Sequence, residues 1–127
     1  MHISHIAIYV HDLERSRQFY ETYFCGMANS KYHNPQTGLQ TYFLSFGDGA
    51  RLELMHRPDC TESSSDALSY GMTHLAFSTG SREAVDALTA RLADDGYPVV
   101  SPPRTTGDGY YESVVCDPDG NRIEITE

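Results

Sequence analysis

Two histidines and two glutamates stand out by type and spacing. His5 lies in Ile3-Ser4-His5-Ile6-Ala7-Ile8-Tyr9-Val10 and His74 in Met72-Thr73-His74-Leu75-Ala76-Phe77. Glu53 lies in Arg51-Leu52-Glu53-Leu54-Met55 and Glu124 in Arg122-Ile123-Glu124-Ile125-Thr126. The histidines are 69 positions apart and the glutamates 71, so each half of the chain supplies one His-bearing and one Glu-bearing segment. Two imidazoles and two carboxylates make a donor set for a borderline or hard divalent ion: zinc, nickel, cobalt, manganese or iron. A soft thiolate site is not suggested, because Cys25, Cys60 and Cys116 are odd in number and form no CxxC pair.

The segments that carry these residues read as strands. From Ile3 to Val10, Ile6, Ile8 and Val10 share one face while His5, Ala7 and Tyr9 share the other. Leu52 and Leu54 oppose Arg51, Glu53 and Met55; Leu75 and Phe77 oppose His74; Ile123 and Ile125 oppose Arg122, Glu124 and Thr126. On all four, the candidate ligand avoids the apolar, helix-facing side, so four strands can present their donors to one cup. His2 and His56 have the opposite parity, and His11 and His33 read as surface or loop residues.

Between the strands the pattern is helical. Asp12 is an expected N-cap for a helix carrying Leu13, Phe19, Tyr20, Tyr23 and Phe24 and ending near Gly26; Ser81 caps a second with Val85, Leu88 and Leu92, ending at Gly96. Residues 27–39, with Asn34-Pro35-Gln36-Thr37-Gly38, read as a loop. Gln40 to Phe46 and Ala50 to His56 form a hairpin about Gly47-Asp48-Gly49. Met72 to Ser78 reads as a strand, Pro102-Pro103 as a break after Val99 and Val100, and Tyr110 to Cys116 as another strand. Asp117-Pro118-Asp119-Gly120 is a turn leading into Asn121 to Thr126. A shift of 69 superposes Asp12 on Ser81 and Tyr42 on Tyr111.

The expected fold is therefore α+β: two βαβββ modules forming a cup-shaped mixed sheet with helices on the outer face. The whole chain, 1–127, is expected to be one domain, with module 1 at about 1–56, a connection at 57–71 that includes Ser63-Ser64-Ser65, and module 2 at about 72–127. At 127 residues such a domain buries roughly two thirds of its unfolded surface. It needs no disulfide staple.

Composition excludes other classes. A net charge of −9, with 9 basic residues against 18 carboxylates, argues against nucleic acid. No 18-residue apolar run is present, which excludes a membrane helix, and the N-terminus lacks the pattern of a signal peptide, so the expected location is cytoplasmic. The three cysteines are expected to be reduced.

His-Ile-Ala-Ile-Tyr-Val-xx-Leu-xx-Ser-xx-Phe-Tyr at 5–20, Leu-Glu-Leu at 52–54, Thr-His-Leu-Ala-Phe at 73–77 and Asp-Pro-Asp-Gly-Asn-x-Ile-Glu-Ile at 117–125 together resemble the vicinal oxygen chelate superfamily. They are most similar to its glyoxalase I (lactoylglutathione lyase) branch, over essentially the whole chain. The resemblance implies a metal that chelates vicinal oxygens of a substrate, zinc or nickel foremost, with His5, Glu53, His74 and Glu124 as ligands. In that branch a hemithioacetal of a thiol and an α-ketoaldehyde is isomerised to a 2-hydroxyacyl thioester through a cis-enediolate. The resemblance makes Glu124 the base and Glu53 its repeat-related counterpart.

Having all four ligands is closer to glyoxalase than to extradiol dioxygenases or fosfomycin-resistance thiol transferases, which use three, or to bleomycin-sequestering binders, which lack them. Those remain the alternatives. Where bacterial glyoxalase I has an Arg on the first strand and an Asn after the Glu strand, this chain has Tyr9 and His56-Arg57-Pro58. Another thiol or another oxygenated substrate stays open, with Tyr9, Arg57, Tyr110 and Arg122 as candidate substrate contacts. Relatives of this size imply a homodimer, the cup being completed within one chain or across the interface.

Overall fold

A computed structural model describes residues 1–61 and 70–127. The chain divides into two compact units, Met1–Ser64 and Ser65–Glu127. Part of the expected connection, including Ser63-Ser64-Ser65, lies outside the described residues.

Unit 1 runs β1 (His5–Tyr9), α1 (Leu13–Phe24), β2 (Met27–Ala28), β3 (Tyr32–His33), β4 (Gln40–Ser45) and β5 (Arg51–His56). Its sheet has the order β1-β5-β4-β2, with β3 also pairing β4. β1 is parallel to β5, and β4 is antiparallel to it. Unit 2 runs β6 (Leu75–Ser78), α2 (Arg82–Asp94), β7 (Val99–Thr105), β8 (Tyr111–Cys116) and β9 (Arg122–Thr126). Its order is β6-β9-β8-β7, with β6 parallel to β9 and the other pairs antiparallel. The fold is α+β, built from two βαβββ modules, with β2 and β3 of unit 1 counting as one broken strand beside β4, and each module has its own mixed sheet. Among the described residues no helix is long and apolar enough to cross a membrane.

Each helix starts where its cap dictates. The Asp12 carboxylate accepts from the Glu14 and Arg15 amides, and the Ser81 hydroxyl accepts from the Ala84 amide. α1 ends with Cys25 in the left-handed region at φ 55°, which turns the chain into Gly26. A Cβ on Gly26 would stand 2.9 Å from Leu44 Cδ2 and 3.2 Å from the Tyr20 carbonyl, so only glycine lets the helix end approach β4.

The strand alternation is realised as expected: Leu52, Leu54, Ile123 and Ile125 are buried under the helices, while Glu53 and Glu124 are on the opposite faces. Helix and sheet are also joined by polar links. In unit 1 the Tyr42 hydroxyl donates to Glu14 while Arg17 stacks over the Tyr42 ring; in unit 2 the Tyr111 hydroxyl donates to Asp86 while Arg82 stacks over Tyr111.

Four expectations are corrected. The stretch 27–39 is not all loop: β2 and β3 pair with β4 there, each too short to show a period. Pro102-Pro103 does not end a strand. β7 passes through both prolines because it lies at the sheet edge, where a missing N–H leaves no partner unsatisfied, and its register to β8 shifts on either side of Ser101. β6 begins at Leu75 rather than Met72, so His74 stands just before the strand.

The fourth concerns the repeat. Tyr42 faces Leu54 across β4–β5, whereas the residue facing Ile125 across β8–β9 is Ser113, not Tyr111. The 69-residue offset that relates the first strands and helix caps thus becomes 71 in the hairpins. Two extra residues enter between cap and hairpin, the stretch that holds the irregular β7.

Candidate metal and substrate site

In unit 1 the parallel pairing of β1 with β5 sets His5 opposite Arg51 and Ala7 opposite Glu53. His5 and Glu53 share the face away from α1, and His5 Nε2 lies 3.8 Å from Glu53 Oε2. In unit 2, β6 and β9 place Ala76 opposite Glu124, and His74 Nε2 lies 3.5 Å from Glu124 Oε2. In both pairs the carboxylate is largely buried, at 15% and 18% exposure, and the imidazole is open, at 41% and 40%. Sequence parity gave the faces on which His5, Glu53 and Glu124 lie; the pairing of each histidine with the glutamate of its own half comes from the parallel registers.

A hydroxyl precedes each histidine and touches its other ring nitrogen: Ser4 Oγ is 3.4 Å from His5 Nδ1, and Thr73 Oγ1 is 3.0 Å from His74 Nδ1. A hydroxyl that accepts from Nδ1–H leaves the Nε2 lone pair facing the carboxylate, the tautomer a metal ligand needs. The Ser-His and Thr-His doublets stand at the same 69-residue offset, so this support was readable in the sequence and was missed.

The donor spacing fits an ion. A charge-assisted N–H···O⁻ bond closes to about 2.7–2.9 Å, which neither pair reaches. Two donors bound to one ion at about 2.0–2.2 Å stand roughly 3–3.5 Å apart; His74 and Glu124 have this separation, and His5 and Glu53 are slightly wider. Within each unit the pair supplies two donors, and among the described residues no group of three or more His, Cys, Asp or Glu is placed to hold one ion.

Unit 2 surrounds its pair with charge that sequence reasoning overlooked. Glu112 faces Thr126 across β8–β9, on the Glu124 face, so the two carboxyls are neighbours. Burial, and then the neighbouring Glu124 charge, push the Glu112 carboxyl above the ordinary range; Arg104 opposes this from 3.7 Å. The signal available was the tight turn at Asp117–Gly120, which sets the hairpin register. The buried Asp117 carboxylate accepts from the amides of Asp119 and Asn121 and from the Asn121 side chain, and so fixes the start of the Glu124 strand.

The remaining candidates are dispersed. Tyr9 is half exposed at the end of β1. The Arg57 guanidinium is engaged by Asp59 at 2.6 and 2.8 Å, a two-pronged pairing that occupies the fork expected for a substrate carboxylate. Tyr110 is exposed beside a turn in which the Thr106 amide donates to the Tyr110 carbonyl. Arg122 lies on the Glu124 face, opposite Cys116.

Residues 2–125 match the family model of the Glyoxalase/Bleomycin resistance protein/Dioxygenase superfamily. The chain belongs to that superfamily. An uncharacterized protein of Bacillus subtilis, YqjT, is 28% identical over 95% of this chain and 94% of its own. The solved structure of a possible glyoxalase from Bacillus cereus is 27% identical, with TM-score 0.74 over 100% of this chain and 99% of that one. The trypanothione-dependent glyoxalase I of Leishmania major is also 27% identical, with TM-score 0.78 over 100% of this chain and 86% of its own. Relatives of this superfamily's glyoxalase I kind typically use a divalent metal and act on small molecules.

Proposed function

We propose that this superfamily member is a divalent-metal-dependent lyase of the glyoxalase I kind. Its substrate is the hemithioacetal of an α-ketoaldehyde and a thiol, or a closely similar vicinal-oxygen compound. The observation that carries the reading is the pair of His–Glu half-sites, each with an imidazole beside a carboxylate, at 3.5 Å in unit 2 and 3.8 Å in unit 1. The likeness to the Leishmania major glyoxalase I supports it.

His5, Glu53, His74 and Glu124 hold the ion; the donors suit zinc, nickel, cobalt, manganese or iron, and the likeness to glyoxalase I puts zinc or nickel first. When bound, the ion supplies Lewis-acid stabilisation of negative oxygen and a template for two adjacent oxygens. Glu124 takes the proton from C1 of the hemithioacetal, breaking C–H and forming O–H, and returns it at C2. The thioester product is an isomer of the substrate, so no external oxidant or reductant is consumed. Glu53 serves the opposite face, and Tyr9, Tyr110 and Arg122 flank the substrate; Arg57 joins them only by leaving Asp59. The reaction runs in the cytoplasm, where Cys25, Cys60 and Cys116 stay unpaired.

Thioester formation from methylglyoxal with a panel of thiols, on metal-repleted protein, tests this directly. Absence of thioester with every thiol removes the glyoxalase reading. Thr73→Val, which keeps shape but loses the acceptor for His74, is expected to weaken metal affinity about tenfold without unfolding the chain; unchanged affinity in a chelator competition would show that the hydroxyl orients nothing. We further propose a homodimer. Mixing a His5→Ala chain with a Glu124→Gln chain restores activity if the four ligands are drawn from two copies, and not if each chain completes its own set.

A further inference from the structure

One guanidinium is built into the first half-site. Arg51 precedes Glu53 by two residues on the same strand face and stands opposite His5 in the β1–β5 register. Its Cζ lies 4.7 Å from the centroid of the Phe43 ring, and that ring meets the His5 ring edge-on at 5.3 Å between centroids. Phe43 in turn faces Glu53 across β4–β5. Imidazole, carboxylate, aromatic ring and guanidinium therefore share one patch of unit 1.

The stacking matters because an arginine laid on a ring keeps its five N–H donors in a fixed plane, pre-ordered for a planar oxyanion. Among the described residues Arg51 forms no salt bridge, whereas Arg17, Lys31, Arg57, Arg82 and Arg104 each do. The second unit differs. Its arginine two residues before the glutamate, Arg122, has no ring at the register position of Phe43, which Val114 occupies. In a chain of net charge −9 an approaching anion is repelled at long range, so a pre-ordered cation beside the ligands has value only for a substrate that carries negative charge.

We propose that Arg51 is a specificity-determining residue, held by Phe43, that reads a carboxylate on the substrate, so that the preferred vicinal-oxygen compound is anionic. The inference rests on the metal-centred reading above, and its test separates the two. Calorimetric binding to the zinc-loaded protein compares acetohydroxamate, which offers vicinal oxygens and no carboxylate, with succinic monohydroxamate, which adds one. The carboxylate-bearing ligand is expected to bind at least tenfold more tightly. Arg51→Gln should bring the two affinities within about threefold of each other, leaving zinc content and acetohydroxamate affinity unchanged. Phe43→Leu should lose part of the same preference.

Equal affinities in the unaltered protein, or a loss on both ligands in Arg51→Gln, overturn the role of Arg51 while the metal centre stands. If neither hydroxamate binds a protein that holds zinc, the vicinal-oxygen reading falls, and the anionic substrate with it.

Discussion

Glu124→Gln is expected to lower thioester formation about 10³-fold or more, the scale of a lost general base, while the protein stays folded. The amide keeps the shape of the carboxylate and an oxygen for the ion but accepts no proton. The surroundings justify expecting a local effect. Glu124 sits mid-strand in β9, between β6 and β8, with Ile123 and Ile125 fully buried on the other face. The Asp117 turn that launches the strand makes its bonds without Glu124. The amide also removes one of two adjacent carboxyls, which relieves the Glu112–Glu124 repulsion and favours retention of the fold. Circular dichroism, zinc content and turnover measured on one preparation separate the terms. An unchanged rate would take Glu124 out of the chemistry.

Leu54→Ala is expected to cost about 3 kcal/mol of unfolding free energy, within the range for a buried leucine reduced to alanine. Leu54 is fully buried on the central strand of unit 1, opposite Ile8 on β1 and Tyr42 on β4. Its removal leaves a cavity under α1 that those two side chains cannot both fill. Met55→Ala, one residue along and on the Glu53 face, is expected to cost less than about 1 kcal/mol. Urea unfolding of the two variants checks the pair. Equal losses would mean that β5 does not present Glu53 and Leu54 to opposite faces, and the geometry of the half-site would fail with it.

The contrast between those neighbours is the part of the molecule most legible from sequence. Strict alternation identified which side of each sheet carries His5, Glu53 and Glu124, and the Thr73-His74 doublet just before β6 delivers the second imidazole to Glu124. Asp12, Ser81 and the Asp117–Gly120 turn marked element ends through capping and turn chemistry that operates locally. What escaped depends on neighbours distant in sequence. β2 and β3 are two residues each and exist only because β4 offers them hydrogen-bonding partners. β7 tolerates its prolines only because it is an edge strand, which no local pattern reveals. Glu112 meets Glu124 through hairpin register, and the two-residue slip between the halves had set Tyr42 against the wrong partner. The Phe43 ring between Arg51 and His5 was hidden for the same reason: three different strands bring those groups together.

Metal analysis of the purified, repleted chain tests the central claim most directly. The two His–Glu half-sites predict about one tightly held divalent ion per chain, the capacity of one four-ligand set. They also predict that a His5→Ala/His74→Ala double variant, still folded, retains less than about a tenth of it. No stoichiometric ion in the unaltered chain, or a full complement in the double variant, would contradict the account.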